Sequence, residues 1–520
     1  MILFTAAFAV PLALWTPAAL GALPRMPVIA KNGFGDRQNS YAWSMAWFNG
    51  ALYVGTARSA LCVERATIEF YFPWGPYYST QPTPGVTCPP RISEADLRAE
   101  IWRYTPRSRR WTLVYRSPTI PNPEAPGRRI ARDIGYRGMV VVRRPNGRSA
   151  LLVGGLTADE FVPELARRYP PRLLYTTDGS HFHAVRGGPG VIHTTYGPQR
   201  PIGYRALTVF DGTLYATVSA GLTGDGVVLR VTDPGGASPR FTQVSPGRLT
   251  VFELQTFDGR LYAGTGDAQS GYGVWKTDGG RSLTWTPVVT GGAGRGTAVT
   301  SVVSMQTYRN QLYVGASGWA TSLFPASELI RIRADGSWDV VVGSPRTVDG
   351  TVKTPVSHLG DGFGNPFNIH FWRMAVFRGA LLLGTNDWSW SLNGTSLADR
   401  QLRSEFGFDL YGTCDGSDWW RATGNGFGRP YDFGVRTMVA SPDGLFLGTT
   451  NLVQGATIRR SQAQPCGRAA SRTADATLER RLRSRHVRRV PRRPAVASEF
   501  DTGLSALTRS DRHQLQVRPR

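Results

Sequence analysis

The 520-residue sequence predicts an all-β fold: a seven-bladed β-propeller closed by an N-terminal strand. The first observation is a hairpin pattern, a turn with Asn, Asp or Gly between two apolar runs, which occurs seven times. Asn-Gly and Asp-Gly between apolar runs favour tight hairpins, because glycine accepts a positive φ. The seven turns contain Asn49, Asn146, Asp211, Asp258, Asn310, Arg378 and Asp443.

A longer repeat is the second observation. Three segments, beginning at Gly33, Gly362 and Gly426, align without a gap. Each contains Gly-Phe-Gly, a Met 11 residues after the Phe, and a Gly-Thr pair 10 residues after the Met. Self-similarity of this kind is typical of architectures in which each unit packs against its neighbours.

A second strand pair follows most hairpins and completes the blade prediction. Residues 274–277, for example, lead through an Asp-Gly turn into residues 284–289. Four short strands per repeat are typical of propeller blades. The seventh repeat ends near residue 459 without an outermost strand. We therefore predict that residues 27–30 supply that strand and close the ring.

Two turns carry a resemblance to known proteins. The pattern Thr-x-Asp-Gly-Ser-x-Phe/Trp at Thr176 and Thr413 resembles a degenerate Asp-box, a structural turn motif. Together with the Leu-Tyr-x-Gly-Thr repeat, it makes residues 27–460 similar to secreted bacterial propellers of the kelch-like and Asp-box kind. Such propellers include sialidases, lyases, galactose oxidase-like enzymes and binding scaffolds, so the resemblance implies a fold and leaves the function open. The Arg-Ile-Pro motif of sialidases is absent from the sequence.

Three regions are predicted along the chain. Residues 1–23 are uncharged, mostly apolar and end in small residues, which resembles a secretory signal peptide, although no basic residue precedes the apolar run. Residues 24–460 form the propeller. Residues 461–520 hold 14 Arg and five acids with few apolar residues, which predicts a disordered basic tail. No transmembrane segment is expected.

The net charge of +23 gives little support for a nucleic-acid partner. Only three of the 60 basic residues are Lys, a skew that we attribute to codon composition, and no specific nucleic-acid binding is predicted. Four cysteines fit an oxidising compartment, with Cys62 paired to Cys88 and Cys414 to Cys466. No zinc-ligand spacing occurs, so no metal site is predicted. Calcium remains open as a structural ion, and a monomer is expected.

Candidate ligand-binding residues lie two positions before the apolar anchor of each inner strand. Arginine binds carboxylates in a bidentate manner, and tryptophan faces suit sugar rings. Alternatively, these side chains pair with neighbouring blades and fill the channel. The equivalent positions hold Trp43, Arg137, Arg205, Phe252, Val303, Trp372 and Arg436, and the three arginines and two tryptophans among them are the candidates.

Two further clusters are predicted near the long-loop end of the channel. One contains Asn368 and His370, and the other contains Asp387, Trp388 and Trp390. His370 is the candidate acid or base, with Asp387 as its partner or as a cation ligand, although a packed, hydrogen-bonded histidine explains the pattern too. The two tryptophans share one face if the segment is extended. Exposed, they form a carbohydrate platform; buried, they belong to the blade core.

Two functions are compatible with these patterns. The first is a secreted propeller that binds an anionic glycan or a protein partner at the face carrying the long loops, where binding sites usually lie. The second is a glycan-active hydrolase or lyase that uses Arg137, Arg205, Arg436 and His370. The sequence leaves open whether the protein is an enzyme.

Overall fold

The computed structural model describes most of the region between the two termini. The described residues are 26–71, 86–123, 125–144, 147–159, 161–162, 165–221, 226–280, 283–318, 327–392 and 400–466. The predicted signal peptide, nearly all of the predicted tail and the turn at Asn146 lie outside them. Within them the fold is all-β, and no helix is long and apolar enough to cross a membrane.

The strands follow one another in antiparallel meanders of four, each numbered here from the inner strand outward. In the first four meanders the strands are Asn39–Phe48, Ala51–Arg58, Glu100–Thr105 and Arg110–Arg116; Gly135–Arg143, Ser149–Leu156, Leu173–Thr176 and His183–Ala184; Gly203–Phe210, Thr213–Ser219, Gly226–Thr232 and Arg240–Gln243; and Val251–Phe257, Arg260–Thr265, Gly273–Thr277 and Trp285–Val289.

The last three meanders repeat the pattern, but the seventh takes its outer strand from the beginning of the chain. The strands are Ser301–Tyr308, Gln311–Ser317, Leu329–Ile332 and Trp338–Val342; Asn368–Phe377, Ala380–Asp387, Leu410–Thr413 and Trp419–Thr423; and Gly434–Ser441, Gly444–Thr450, Ile458–Ser461 and Val28–Ala30. Val28 pairs with Arg459 and Ala30 with Ile458, the pairing that the sequence predicts.

The remaining elements are short and lie in the loops. The α-helices are Ala60–Tyr71, Leu165–Arg168, Gly291–Gly294 and Arg400–Ser404. The 3₁₀ segments are Asn32–Gly35, Ile92–Glu94, Gly296–Ala298, Asp361–Gly364 and Ser389–Leu392. The additional hairpin strands are Thr119–Pro121, Arg129–Ala131, Ile192–Thr194, Gly197–Gln199, Arg346–Val348 and Thr351–Lys353.

The core lies between consecutive meanders rather than at one centre. The inner strand of each meander contacts the inner strand of the next, and that of the seventh contacts that of the first. The apolar cluster at this last junction contains Met45 and Val54 from the first meander and Phe446 and Ile458 from the seventh. Four-stranded meanders with inner strands side by side are the architecture of a β-propeller.

The Gly-Phe-Gly repeat has a structural role that joins consecutive meanders. In each copy the first glycine donates its N–H to a carbonyl just before the third strand of the preceding meander, and the phenylalanine packs on the third strand of its own meander. The hydrogen bonds are Gly33 to Ala456, Gly362 to Ser327 and Gly426 to Phe408, each 2.9 Å. Phe363, for example, stacks on Tyr411 at 3.8 Å between ring centroids.

The remaining sequence predictions about local structure concern disulfides and turns. Both predicted disulfides, Cys62–Cys88 and Cys414–Cys466, are confirmed. The two Asp-box-like segments form the same turn between a third and a fourth strand. In one of them, Gly179 N–H donates to Thr176 Oγ1 at 2.9 Å and Ser180 N–H donates to Asp178 Oδ1 at 2.8 Å. These residues therefore stabilise a turn.

Candidate functional site

The predicted arginines and aromatic residues lie where the inner strands begin, next to the long loops that follow the second strands. The structure pairs them across neighbouring meanders, a guanidinium over an aromatic ring each time. The distances from Cζ to the ring centroid are 5.2 Å for Arg137 over Trp43, 4.4 Å for Arg205 over Phe252 and 5.4 Å for Arg436 over Trp372. Cation–π contact of this kind stabilises each pair. Val303 is buried instead.

Two glycines provide the space that the tryptophans need. A Cβ atom on Gly135 would lie 2.1 Å from Cζ3 of Trp43, and one on Gly434 would lie 2.3 Å from Cζ3 of Trp372. Each glycine begins the inner strand of the following meander. A side chain at either position would displace the ring and, with it, the guanidinium that lies over it.

Neighbouring arginine charges affect the protonation of Arg436 and Arg205. Burial, and then the charge of Arg137, lowers the pKa of Arg436 to about 9. Burial also lowers the pKa of Arg205 to about 10, where Glu253 opposes the change and Arg436 adds to it. Like charges in a partly buried site disfavour each other's charged form. An anion bound among Arg137, Arg205 and Arg436, here called the arginine cluster, would relieve this repulsion.

A buried carboxylate and a fourth arginine lie near the arginine cluster. Glu253, 7% exposed, lies on the inner strand of the fourth meander. Its Oε2 lies 3.8 Å from Nη1 of Arg373, which also lowers the pKa of Arg436. The charge of Glu253 also acts on Arg205 and Arg436, so three guanidinium groups lie near this one buried carboxylate.

His370 lies beside this cluster but is held in a neutral form. Its Nδ1 lies 2.5 Å from Oγ of Ser317, on the second strand of the neighbouring meander. Burial, with a contribution from the charges of Arg205 and Arg436, lowers the pKa of His370 to about 3. The imidazole therefore carries no charge near pH 7, when one ring nitrogen donates and the other accepts.

Asp387 and Asn368 belong to a buried network instead of the arginine cluster. Asp387 accepts hydrogen bonds from Asn365 Nδ2 and Ser389 N–H, both at 2.8 Å. Burial, and then the charge of Asp409, raises the pKa of Asp387 to about 7. Asn368 Nδ2 donates to the same Asp409 at 2.7 Å. The predicted pair of Asp387 with His370 is thus replaced by two separate sets of partners.

The carbohydrate platform requires an extended segment at the two tryptophans. A 3₁₀ segment, Ser389–Leu392, occupies this position instead. Trp388 is 41% exposed, whereas Trp390 packs on Phe433 with ring centroids 5.3 Å apart. Among the described residues, no group of three or more His, Cys, Asp or Glu is placed to hold a metal ion.

The structure adds a pair of residues that the sequence patterns do not indicate. Tyr41, on the inner strand of the first meander, donates its phenol O–H to Glu64 Oε1 at 3.1 Å. Its ring lies 5.8 Å from that of Trp43. Burial, and then the charge of Glu64, raises the pKa of Tyr41 well above its usual value, against a smaller lowering by the charges of Arg436 and Arg137. Tyr41 therefore lies between two members of the arginine cluster.

Glu64 reaches Tyr41 from helix Ala60–Tyr71, which forms part of the long loop after the second strand of the first meander. Its side chain is exposed to solvent at the surface. Partial desolvation of the carboxyl raises the pKa of Glu64 to about 7, against the opposing effect of the hydrogen bond from Tyr41. The disulfide Cys62–Cys88 joins the helix to the distal part of the same loop.

No protein-family model and no curated protein sequence matches the chain. Among solved structures it is similar to polysaccharide lyase Uly1, with a TM-score of 0.45 and 9% identity, covering 82% of this chain and 90% of the lyase. It is also similar to a GH43 β-1,3-galactosidase solved with galactodeoxynojirimycin, with a TM-score of 0.33 and 11% identity, covering 58% and 93% of the two chains.

A third similar structure is Trypanosoma rangeli sialidase in complex with sialic acid, with a TM-score of 0.35 and 10% identity. The match covers 87% of this chain and 59% of the sialidase, so the chain spans about three fifths of that protein's length. Likeness at this level of identity concerns the fold alone. The function is therefore inferred from the geometry of the site.

Proposed function

We propose that the chain is a secreted, seven-bladed β-propeller that binds a carboxylated glycan at the long-loop end of its inner strands. One observation carries the proposal: three guanidinium groups, each over an aromatic ring, form a partly buried cluster in which burial and neighbouring arginine charges lower the pKa of Arg436 and Arg205. A bound carboxylate places negative charge beside these guanidinium groups and accepts bidentate hydrogen bonds from them.

The seven-bladed ring is supported by the contacts between the first and last meanders. Val28–Ala30 extends the seventh meander, while Tyr41 of the first meander pairs with Thr450 of the seventh. A ring built this way places equivalent residues of all inner strands around one axis. The arginine cluster then surrounds the mouth of the central channel.

A glycan fits the site better than other anions because of the rings beside the arginines. Trp43 and Trp372 are half-buried and keep part of their surface accessible. Such rings provide large, rigid apolar contact area, which suits the C–H faces of sugars. The arginines would bind a carboxylate carried by the same sugar residue. The two disulfides support an oxidising, extracellular location.

Arg137→Gln and Arg436→Gln test the proposal by calorimetric titration with polygalacturonate, alginate and hyaluronan. Each variant should weaken binding about 10- to 100-fold, the cost of losing a hydrogen bond to a charged group. Arg378→Gln is the matched control, because Arg378 also lies over a ring, that of Phe377 at 5.1 Å, but on the hairpin at the opposite end of the inner strand. Equal affinities for the wild type and both cluster variants would contradict the proposal.

The outcome also separates a glycan from a protein ligand. A wild-type protein that binds none of the three polymers, but retains an acidic protein, would favour the protein partner. Binding of neutral and anionic polymers with equal affinity would show that the aromatic rings act without the arginines.

A further inference from the structure

We propose that Tyr41 and Glu64 form a proton-transfer pair with which the propeller cleaves a uronate-containing glycan by β-elimination. This inference rests on the proposed function, because it uses the carboxylate that the arginine cluster binds. Three features of the structure carry it: the hydrogen bond between the two side chains, the position of Tyr41 between two of the arginines, and the partial access of both side chains to solvent.

The hydrogen bond joins the phenol of Tyr41, on an inner strand, to the exposed carboxylate of Glu64 on the loop helix. Tyr41 O–H donates to Glu64 Oε1 at 3.1 Å, so the phenol proton has an acceptor already in place. Tyr41 belongs to a rigid inner strand, and its ring packs with those of Trp43, Trp372 and Phe433. This packing fixes the direction of the phenol, as a catalytic group requires.

The position of Tyr41 places the pair next to the uronate carboxylate that the arginines would bind. Arg137 and Arg436 act electrostatically on Tyr41 from the meanders on either side. A uronate carboxylate bound by these arginines places the carbon next to it, C5, close to the same wall of the site. The guanidinium groups also neutralise the charge that develops on the carboxylate when C5 loses its proton.

Tyr41 and Glu64 together account for every proton transfer in the reaction. The phenol oxygen of Tyr41 takes the C5 proton as its own proton passes to Glu64. The C5–H electrons form the C4=C5 double bond, and the C4–O4 bond breaks. The proton on Glu64 then returns through Tyr41 to the departing O4. The products are a 4,5-unsaturated uronosyl end and a chain with a free hydroxyl group, and no water, metal ion or oxidant is consumed.

The protonation of Glu64 fits both steps. Restricted hydration raises its pKa to about 7, so that near neutral pH the carboxyl exchanges a proton readily in either direction. Tyr41 is the catalytic residue, because it contacts the reacting atoms. Glu64 acts through Tyr41.

Ultraviolet absorbance of the unsaturated product, measured with the full chain on polygalacturonate, alginate and hyaluronan, tests the pair. Tyr41→Phe and Glu64→Gln should each lower kcat by about 100-fold or more, the usual contribution of a general acid–base group. KM and the Kd from calorimetry should stay unchanged, because neither variant removes an arginine. Glu94→Gln is the control, since Glu94 pairs with Arg128 in a surface ion pair.

Each result of these binding and absorbance measurements either supports or overturns the elimination. Binding without any product at saturating polymer would overturn the elimination and leave the proposed function intact, whereas absence of binding would overturn both. New reducing ends without ultraviolet absorbance would show hydrolysis and contradict the elimination. Full turnover in Tyr41→Phe, whose melting temperature shows that it folds, would show that another residue carries the proton.

Discussion

At the residue scale, the site is defined by pairs rather than by isolated side chains. Each arginine of the cluster has an aromatic partner from the neighbouring meander, and Glu253 has Arg373. The sequence predicts the arginines and tryptophans, because the repeat places them at equivalent positions. It does not predict the Tyr41–Glu64 contact, since Glu64 lies in a long insertion whose course no local pattern specifies.

The environment of His370 leads to a prediction about stability and pH. Its pKa is about 3 in the folded protein and 6.5 without burial, so between these values the unfolded chain binds more protons. The stability that His370 contributes is present above pH 6.5 and is lost as the pH falls toward 3. Wild type should therefore lose about 2 kcal/mol more than His370→Gln between pH 7 and pH 5.

Denaturant unfolding at the two pH values measures this difference, and glutamine retains a group that can hydrogen-bond Ser317. Parallel pH profiles for wild type and His370→Gln would show that His370 binds protons equally in both states. The imidazole would then be hydrated and charged in the folded protein.

At the element scale, the sequence is most informative where one turn or strand specifies its own geometry. The hairpin turns, the Asp-box-like turns and both cysteine pairs follow from local patterns. In the segment after Asp387 the local pattern is misleading, because the alternation of Trp388 and Trp390 suggests a strand. The Asp387 carboxylate accepts a hydrogen bond from the N–H of Ser389, and a 3₁₀ turn forms instead. A side-chain hydrogen bond thus outweighs the pattern.

The disulfide Cys414–Cys466 should contribute more stability than its counterpart. It joins the sixth meander to the segment that follows the last strand and closes a loop across 52 residues, against 26 for Cys62–Cys88. Replacing Cys414 and Cys466 by serine should lower the free energy of unfolding by about 2–4 kcal/mol. Replacing Cys62 and Cys88 should cost less, since the closed loop is shorter.

Urea unfolding of both double variants under identical conditions measures the two losses. Equal stability of wild type and the Cys414→Ser/Cys466→Ser variant would contradict a role for this bond in holding the last meander in place.

At the scale of the whole molecule, stability depends on contacts between meanders, and the N-terminal strand occupies the junction between the first and last. Trp111 Nε1 donates to the carbonyl of Ile29 at 2.9 Å, and Arg459 Nη1 donates to that of Met26. The sequence predicts this strand because the seventh repeat lacks one. It cannot give the angle between neighbouring meanders, which depends on how side chains pack between them.

Deletion of residues 24–30 should lower the melting temperature by several degrees, because the third strand of the seventh meander becomes an unpaired edge. Deletion of residues 467–520 is the control and should leave the melting temperature unchanged. Differential scanning calorimetry distinguishes the two. A melting temperature unaffected by the first deletion would contradict closure of the ring by this strand.

The central claim is that the arginine cluster binds the carboxylate of a glycan. The most direct test is calorimetric titration of the wild-type chain with polygalacturonate and with the same polymer after reduction of its carboxyl groups to alcohols. Binding to the carboxylated polymer should be at least about 10-fold tighter and should weaken with added salt, because charge-assisted hydrogen bonds are lost on reduction. Equal affinity for the two polymers, independent of salt, would contradict the claim.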